Sequence, residues 1–565
     1  MAALCAPERT DRAELDRSLE RVRDGAARFA RMQLRERRRL LDEMTAGLAA
    51  VAPAIVLAAC EAKQIPPGSR TAGEEWSLGP VITLQNLRLL RHSLQSIEMR
   101  GSTEVGKLEE TIDGRASVSI FPATGLDRVL FSRVRARAHL LPGASPQARA
   151  SFYRSPGHQG RVVLVLGAGN VNAITPLDVA TRMFNEGKVC IVKMSPVNAY
   201  LGPLLEKAFA AAVNRGYLAI TYGGAEEGEY LAFHPAVDEV HLTGSDATHD
   251  ALVFGPAGPE REARKASRSP RLRKPVTSEL GNISPVIVVP GRYTDRQLRW
   301  QLENIAGGVV NNASFNCNAH KLLVTGTGPA GGKDLLEGLE ATLQDVPPRF
   351  AYYPGAEQRY RTLTEGRARL VKIGEAAPGA LPWGIIPGLD PADDREAAFK
   401  TEPFCSVLSQ VTLDRTDPLE FLEHAVAFVN ERLWGTLVAS IVVPPAMRRD
   451  LELRRALERA VVALRYGTVG INIWGAYGFA LGPPWGGHPS SSLENIQSGL
   501  GFVHNTSMLE GVEKTVIEQP IVNWPKPVHF PSHRSTVALG QALTGVESTG
   551  RWTDLPAVLS AALRA

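Results

Sequence analysis

The chain has 565 residues, 44% of them apolar and 22% charged, with a formal net charge of +4. That length exceeds what one core ordinarily holds, so two or more domains are expected, and the near-neutral balance gives no footing for nucleic acid or an anionic membrane. Five scattered cysteines (Cys5, Cys60, Cys190, Cys317 and Cys405) form no CxxC pair and no Cys/His cluster, which argues against a disulfide framework or a metal site and fits a reducing, cytoplasmic setting.

Taken in order, Met1–Thr10 carries Glu and Arg before any apolar run, so no secretory signal is read there. From Asp11 to Ile65 apolar residues such as Leu40, Leu41, Met44 and Leu48 recur at helical spacing, and Arg35–Arg39 is the solvated side of that helix. A second helix is expected over roughly Gly79 to Ile97. No apolar segment of about eighteen residues is read anywhere, so no spanning helix is expected. Between Ala116 and His139 the pattern reads as strand, with Val118, Ile120, Val129, Phe131 and Val134, and its alternating arginines suit an exposed ribbon or an oligomer contact.

After Gly160 strands and helices alternate: Val162–Leu166, a helix from Thr175 to Asn185, Cys190–Lys193, a helix from Leu201 to Asn214, then Leu218–Tyr222 and Val237–Leu242. This order implies a doubly wound parallel sheet, whose ligands bind beyond the carboxyl ends of the strands. Gly255 to Lys274, rich in Arg and Pro, is expected to be an exposed loop. A second α/β region runs from Val286 to about Trp485, followed by a proline-bearing tail and a terminal helix over Leu555 to Leu563.

Two short contexts suit covalent aldehyde chemistry. Cys317 sits in the small, polar stretch Asn311–Lys321 at the entrance to an apolar strand, where a thiol can stay accessible. Glu279, in Val276-Thr277-Ser278-Glu279-Leu280-Gly281, stands at a turn where a carboxylate could activate water. Gly167-Ala168-Gly169-Asn170-Val171-Asn172 lacks the last glycine of a dinucleotide fingerprint, so that turn alone does not establish a cofactor.

Together the ordered motifs resemble the aldehyde dehydrogenase superfamily over roughly Glu20 to Pro520, as a divergent member. The resemblance carries Cys317 as nucleophile, Glu279 as general base and Asn170 as oxyanion donor, aided by the Cys317 backbone N–H. It also implies a cofactor, NAD or NADP, held by Lys193, Ser195, Gly224, Gly228, the turn Thr243-Gly244-Ser245, and Glu402 with Phe404. Asn472 and Pro484-Trp485-Gly486-Gly487 resemble the closing motifs. The implied fold is α/β, with two doubly wound parallel-sheet domains and an oligomerisation β-arm. Residues 1–115 with 161–281 would bind cofactor and 282–487 would form the catalytic domain. Residues 116–160 and 488–530 would serve oligomerisation or bridging, with 531–565 as a C-terminal extension.

The implied activity is oxidation of an aldehyde to a carboxylic acid by a homodimer or homotetramer. A CoA-acylating dehydrogenase is the near alternative, disfavoured by Glu279, and a non-catalytic scaffold the distant one. Three departures stand out: Pro196 replaces a ribose-binding Glu, which leaves NADP open; Asn282 replaces a glycine; His249 replaces another. Phe315, Trp474, Tyr477 and Phe479 suggest either an aromatic mouth or ordinary core.

Overall fold

The computed structural model describes residues 7–155, 157–328, 332–375 and 377–565. Met1–Ala6, on which Cys5 and part of the N-terminal reading fall, lie outside the described residues.

One sheet has five parallel strands in the order Leu218–Thr221, Val189–Lys193, Val162–Leu166, Glu239–Thr243, Val276–Glu279. Val162–Leu166 is buried throughout because helices cover both faces, which is why it reads as an unbroken apolar run. Arg349–Phe350 pairs with Ala380–Leu381 in a small separate sheet, and a larger sheet has eleven strands among the described residues. Its parallel centre joins Thr468–Ile471, Val438–Val442, Ser284–Val288, His320–Thr325 and Val407–Thr412, with separate apolar clusters packed on it.

The stretch from Ala116 to His139 is not continuous strand. Ala116–Phe121 and Arg135–Leu140 are strands, but Gly125–Leu130 is helical and carries Val129. A reciprocal capping box, Thr124 with Asp127, starts that helix and outweighs the β-branched residues around it. The paired strands are no free ribbon either. Arg135–Leu140 runs antiparallel to Val512–Glu518, which in turn lies parallel to Thr468–Ile471 of the same chain. The arm therefore continues the large sheet within one subunit.

Gly255 to Lys274 contains the exposed helix Pro259–Ala266, with Pro at its start and an Arg264–Glu260 pair one turn apart, rather than only loop. The expected helix from Leu201 to Asn214 is broken at Phe209 into Gly202–Ala208 and Ala210–Asn214. Helix Leu34–Ala62 is long and apolar enough to cross a membrane by composition, which the sequence reading missed; Leu40, Leu41, Met44, Leu48 and Ile55 on it are buried in the core around the five-stranded sheet. The terminal helix Leu555–Leu563 is joined by Thr536–Thr549, and both pack over Leu126 of the capped helix.

Candidate active site

The carboxyl ends of the two sheets meet at a cleft of about 270 Å³, lined by Asn170, Thr243, Glu279, Cys317, Glu402 and Phe404 among others. Glu279 ends its strand, Asn170 lies in the turn after Val162–Leu166, and Cys317 precedes His320–Thr325. Residues far apart in sequence thus converge because each occupies a loop at the same end of a parallel strand.

The loop presenting Cys317 is strained. Asn312, Ala313 and Ser314 have φ of 53°, 54° and 70°, a left-handed region that costs on the order of 1 kcal/mol or more per non-glycine residue. Hydrogen bonds over-determine it. The Asn312 backbone N–H donates to Glu74 Oε2 at 3.0 Å, and its side-chain amide donates to the Asn170 carbonyl at 2.9 Å and the Phe315 carbonyl at 3.1 Å. Buried Lys321 donates to the Ser314 carbonyl at 2.7 Å and hydroxyl at 2.8 Å. On the far side Lys63 Nζ donates to both Glu75 oxygens, at 2.9 and 3.0 Å, and to Asn312 Oδ1 at 3.0 Å.

Cys317 Sγ–H donates to Glu279 Oε1 at 3.1 Å. Burial raises the Cys317 thiol pKa well above its ordinary value, and the Glu279 and Glu402 carboxylates raise it further. Burial likewise pushes the Glu279 carboxyl up to about 7; the bond from Cys317 and the nearby Trp485 indole N–H oppose that rise, while Asp178 and Glu402 add to it. The resting pair is thus a protonated thiol beside a carboxyl that ionises near neutrality. Asn170, buried, donates one amide hydrogen to the Phe315 carbonyl at 2.9 Å, which orients the group and leaves its second donor free to face the cleft.

Of the cofactor residues expected from the sequence, Thr243, Gly244, Ser245, Glu402 and Phe404 share the cleft with Asn170, Glu279 and Cys317. Lys193, Ser195, Gly224 and Gly228 do not line it and lie at or beyond the carboxyl ends of strands Val189–Lys193 and Leu218–Thr221. Lys193 packs its stem on Gly228, whose absent Cβ would lie 3.5 Å from Lys193 Cε. Ser195 caps the short helix Pro196–Leu201, and the Gly224 N–H donates to Glu227 Oε2 at 2.6 Å. The Thr243 hydroxyl turns away from the cleft and donates to Asp178 Oδ2 at 3.2 Å.

The departures are accommodated locally. Asn282 donates its side-chain amide to the Val438 carbonyl at 2.8 Å, and its backbone N–H to Glu402 Oε1 at 3.1 Å. Gly435 makes room: a Cβ there would meet Asn282 Oδ1 at 2.5 Å. His249 is buried beside Asp250. Asn472 shapes the end of its strand, accepting from the Val443 N–H at 2.9 Å, and stays out of the cleft. Phe315, Trp474 and Phe479 are core residues; the aromatics that do line the cleft are Tyr353, Phe404 and Trp434. Arg359, also lining it, holds the Phe404 carbonyl at 3.1 Å and belongs to no motif recognised in the sequence. Within Gly255–Lys274, Arg271 pairs with Glu229 at 2.7 Å and Lys265 with Asp250 at 2.5 Å, while Arg261 and Lys274 donate to the Gly255 and His234 carbonyls.

The fold and this cleft define a two-sheet α/β protein with a cysteine, a carboxylate and an amide gathered where nucleotide-binding sheets hold their ligands. The aldehyde dehydrogenase family model matches residues 133–328. A geranial dehydrogenase of Castellaniella defragrans is 27% identical over 347 residues, 58% of this chain, and this chain spans 65% of that relative's length. Among solved structures, an NADP-dependent glyceraldehyde-3-phosphate dehydrogenase from Bacillus halodurans C-125 has a TM-score of 0.59 at 18% identity, covering 90% of this chain and 92% of its own. An NAD-dependent aldehyde dehydrogenase from Sinorhizobium meliloti has a TM-score of 0.60 at 20% identity, covering 91% and 89%. The chain is thus similar to the aldehyde dehydrogenase family over residues 133–328, and it shares the fold of these solved structures over most of its length.

Proposed function

We propose that this protein oxidises an aldehyde to a carboxylic acid with NAD or NADP, through a thiohemiacetal and then a thioester on Cys317. The observation that carries the reading is the 3.1 Å contact from Cys317 Sγ to Glu279 Oε1 in a cleft shared with Asn170. Glu279 takes the thiol proton as sulfur adds to the aldehyde carbon. The alkoxide that forms is met by the free Asn170 amide hydrogen and the Cys317 backbone N–H, which has no acceptor among the described residues. After hydride loss Glu279 deprotonates water, the oxygen adds to the thioester carbon, and the C–S bond breaks to release the acid while the departing Cys317 thiolate takes a proton back from Glu279.

A nicotinamide cofactor, when bound, supplies the hydride acceptor. The residues present fit such a group: the Lys193 amine is half-buried with no hydrogen-bond partner among the described residues, a donor suited to a ribose hydroxyl, and a Cβ at Gly244 would meet only Leu242, at 3.4 Å. Glu402 lines the same cleft, its carboxyl pushed up by burial and its Oε1 accepting from the Asn282 N–H. Pro196 brings no carboxylate against a 2′-phosphate, which supports use of NADP. Self-association as a dimer or tetramer belongs to the same proposal.

The test is an aldehyde panel, geranial included, with each cofactor, followed by reduced-cofactor absorbance and product analysis. Free acid made by the wild type and none by Cys317→Ala is expected. No reduction with any aldehyde, or a thioester product only when CoA is added, overturns the reading.

A further inference from the structure

The amide that meets the alkoxide is held at both ends. Asn170 sits in the turn after Val162–Leu166, and a turn alone does not fix a side-chain amide about its rotatable bonds. Its Nδ2 donates to the Phe315 carbonyl at 2.9 Å, which fixes one end. The other end is its own backbone carbonyl, on which two short donors converge: Asn312 Nδ2 at 2.9 Å and the Tyr352 hydroxyl at 3.0 Å. Lys63 Nζ stands further off, at 3.5 Å. The Tyr352 hydroxyl also lies 3.0 Å from Asn312 Oδ1, so its one hydrogen is shared between the two loops. The Tyr352 ring meets Phe315 edge-on, with centroids 4.9 Å apart.

Tyr352 comes from outside both loops. It follows the short strand Arg349–Phe350, paired with Ala380–Leu381, and the Ala351 N–H donates to the Gly379 carbonyl at 2.8 Å. Arg349 Nη1 donates to Glu74 Oε2 at 3.1 Å, the same oxygen that receives the Asn312 N–H. This hairpin is thus fastened to the carboxylate that grips the cysteine loop, and its next residue, Tyr353, lines the cleft. Burial pushes the Tyr352 phenol well above its ordinary pKa, so at neutral pH it is a donor and nothing else. The ring already packs on Phe315, and the hydroxyl adds geometry. It spans Asn170, in a loop of the five-stranded sheet, and Asn312, in a loop of the large sheet. A donor stabilises an alkoxide only when it is aimed at the place where that charge develops.

We propose that Tyr352 is a positioning residue for the alkoxide site, acting through Asn170; the inference rests on the aldehyde oxidation proposed above. The phenol touches no reacting atom. It holds the Asn170 carbonyl so that the free amide hydrogen is aimed where the substrate oxygen becomes an alkoxide as Cys317 Sγ adds to carbon. Without the hydroxyl, Asn312 Oδ1 keeps its bond from Lys63, but the Asn170 carbonyl loses one of its two short donors. The turn is then free to rock against the cysteine loop. The same placement serves any acyl transfer onto Cys317, with or without a cofactor, because each begins with sulfur adding to a carbonyl.

The test is a double-mutant cycle on the full-length protein, with Tyr352→Phe, Asn170→Ala and the two together. Two reactions are followed. One is cofactor reduction with an aldehyde that the wild type oxidises. The other is cofactor-free cleavage of p-nitrophenyl acetate, in which Cys317 sulfur adds to the ester carbonyl, nitrophenolate leaves and the thiol proton passes to Glu279. Tyr352→Phe keeps the ring against Phe315 and is expected to lower kcat about tenfold in both reactions, with KM changed less than about twofold. Asn170→Ala keeps the backbone carbonyl but has no amide left to aim, so adding Tyr352→Phe to it changes kcat less than about twofold. A hydroxyl that only braced the fold would cost the same factor in either background. Equal losses with and without the Asn170 amide, or an unchanged kcat in Tyr352→Phe, overturn the positioning role and leave aldehyde oxidation standing. A wild type inert toward every aldehyde overturns both.

Discussion

Asn170, Glu279 and Cys317 belong to different loops, and the first two have separable tests. Replacing Asn170 with Ala removes one alkoxide donor and is expected to lower kcat about 100-fold or more, with little change in substrate affinity. Because burial lifts the Glu279 carboxyl to about 7, kcat/KM should fall as pH drops through that value, and Glu279→Gln should abolish this limb together with acid formation. The same shift has a stability cost of definite sign. A carboxyl whose folded pKa exceeds its unfolded one destabilises the fold increasingly from about pH 4.5 to about 7, and constantly above. Glu279→Gln should therefore raise Tm at pH 8 and leave it unchanged at pH 4, as differential scanning calorimetry would show. These residues were legible in the sequence because short motifs surround them. The direction of Thr243 was not: its hydroxyl follows Asp178, on a helix that the motif does not include.

Short elements far from the cleft hold it in shape. Helix Ala72–Trp76 carries Glu74 and Glu75, which grip the Cys317 loop directly and through Lys63, and it is itself pressed by the C-terminal helix Thr536–Thr549. The two helices touch through glycines: a Cβ on Gly540 would come within 2.4 Å of Trp76 Cβ, and one on Gly73 within 2.3 Å of Thr536 Cβ. Gly540→Val should cost about 1–3 kcal/mol in urea unfolding and lower kcat as Glu74 and Glu75 shift. The C-terminal extension is thus tied to the site, a link no local pattern announces. Nearby, Arg88 Nη2 donates to Asp127 Oδ1 and Nε to Glu547 Oε2, both at 2.6 Å and all three groups buried. Arg88→Met would strand two buried carboxylates and should cost about 3–5 kcal/mol, measured the same way. Elements were misread where a cap decided matters: Thr124 and Asp127 turn a strand-like stretch into helix.

Across the whole molecule, alternation of strands and helices revealed the doubly wound sheets, since each buried parallel strand announces itself as an apolar run. Pairing between distant segments was not legible, because hydrogen bonds between strands carry little residue specificity. Strand Val512–Glu518 is the case in point: it joins the arm to the parallel centre of the large sheet, with Thr468–Ile471 on one side and Arg135–Leu140 on the other. Val516→Pro removes a ladder donor at its centre, where Val516 pairs with Val469 and Arg137. Limited proteolysis of that variant should cut within residues 116–160 well before the wild type is cut.

That strand also emerges late from the ribosome. The hairpin built from Ala116–Phe121 and Arg135–Leu140 is synthesised long before its partner Val512–Glu518 exists, so a nascent chain carries an unsatisfied β-edge through most of translation. Ladder closure across so large a sequence separation is slow. Yield in a heterologous host should therefore depend on chaperone supply and growth temperature more than on the thermodynamic strength of the finished fold.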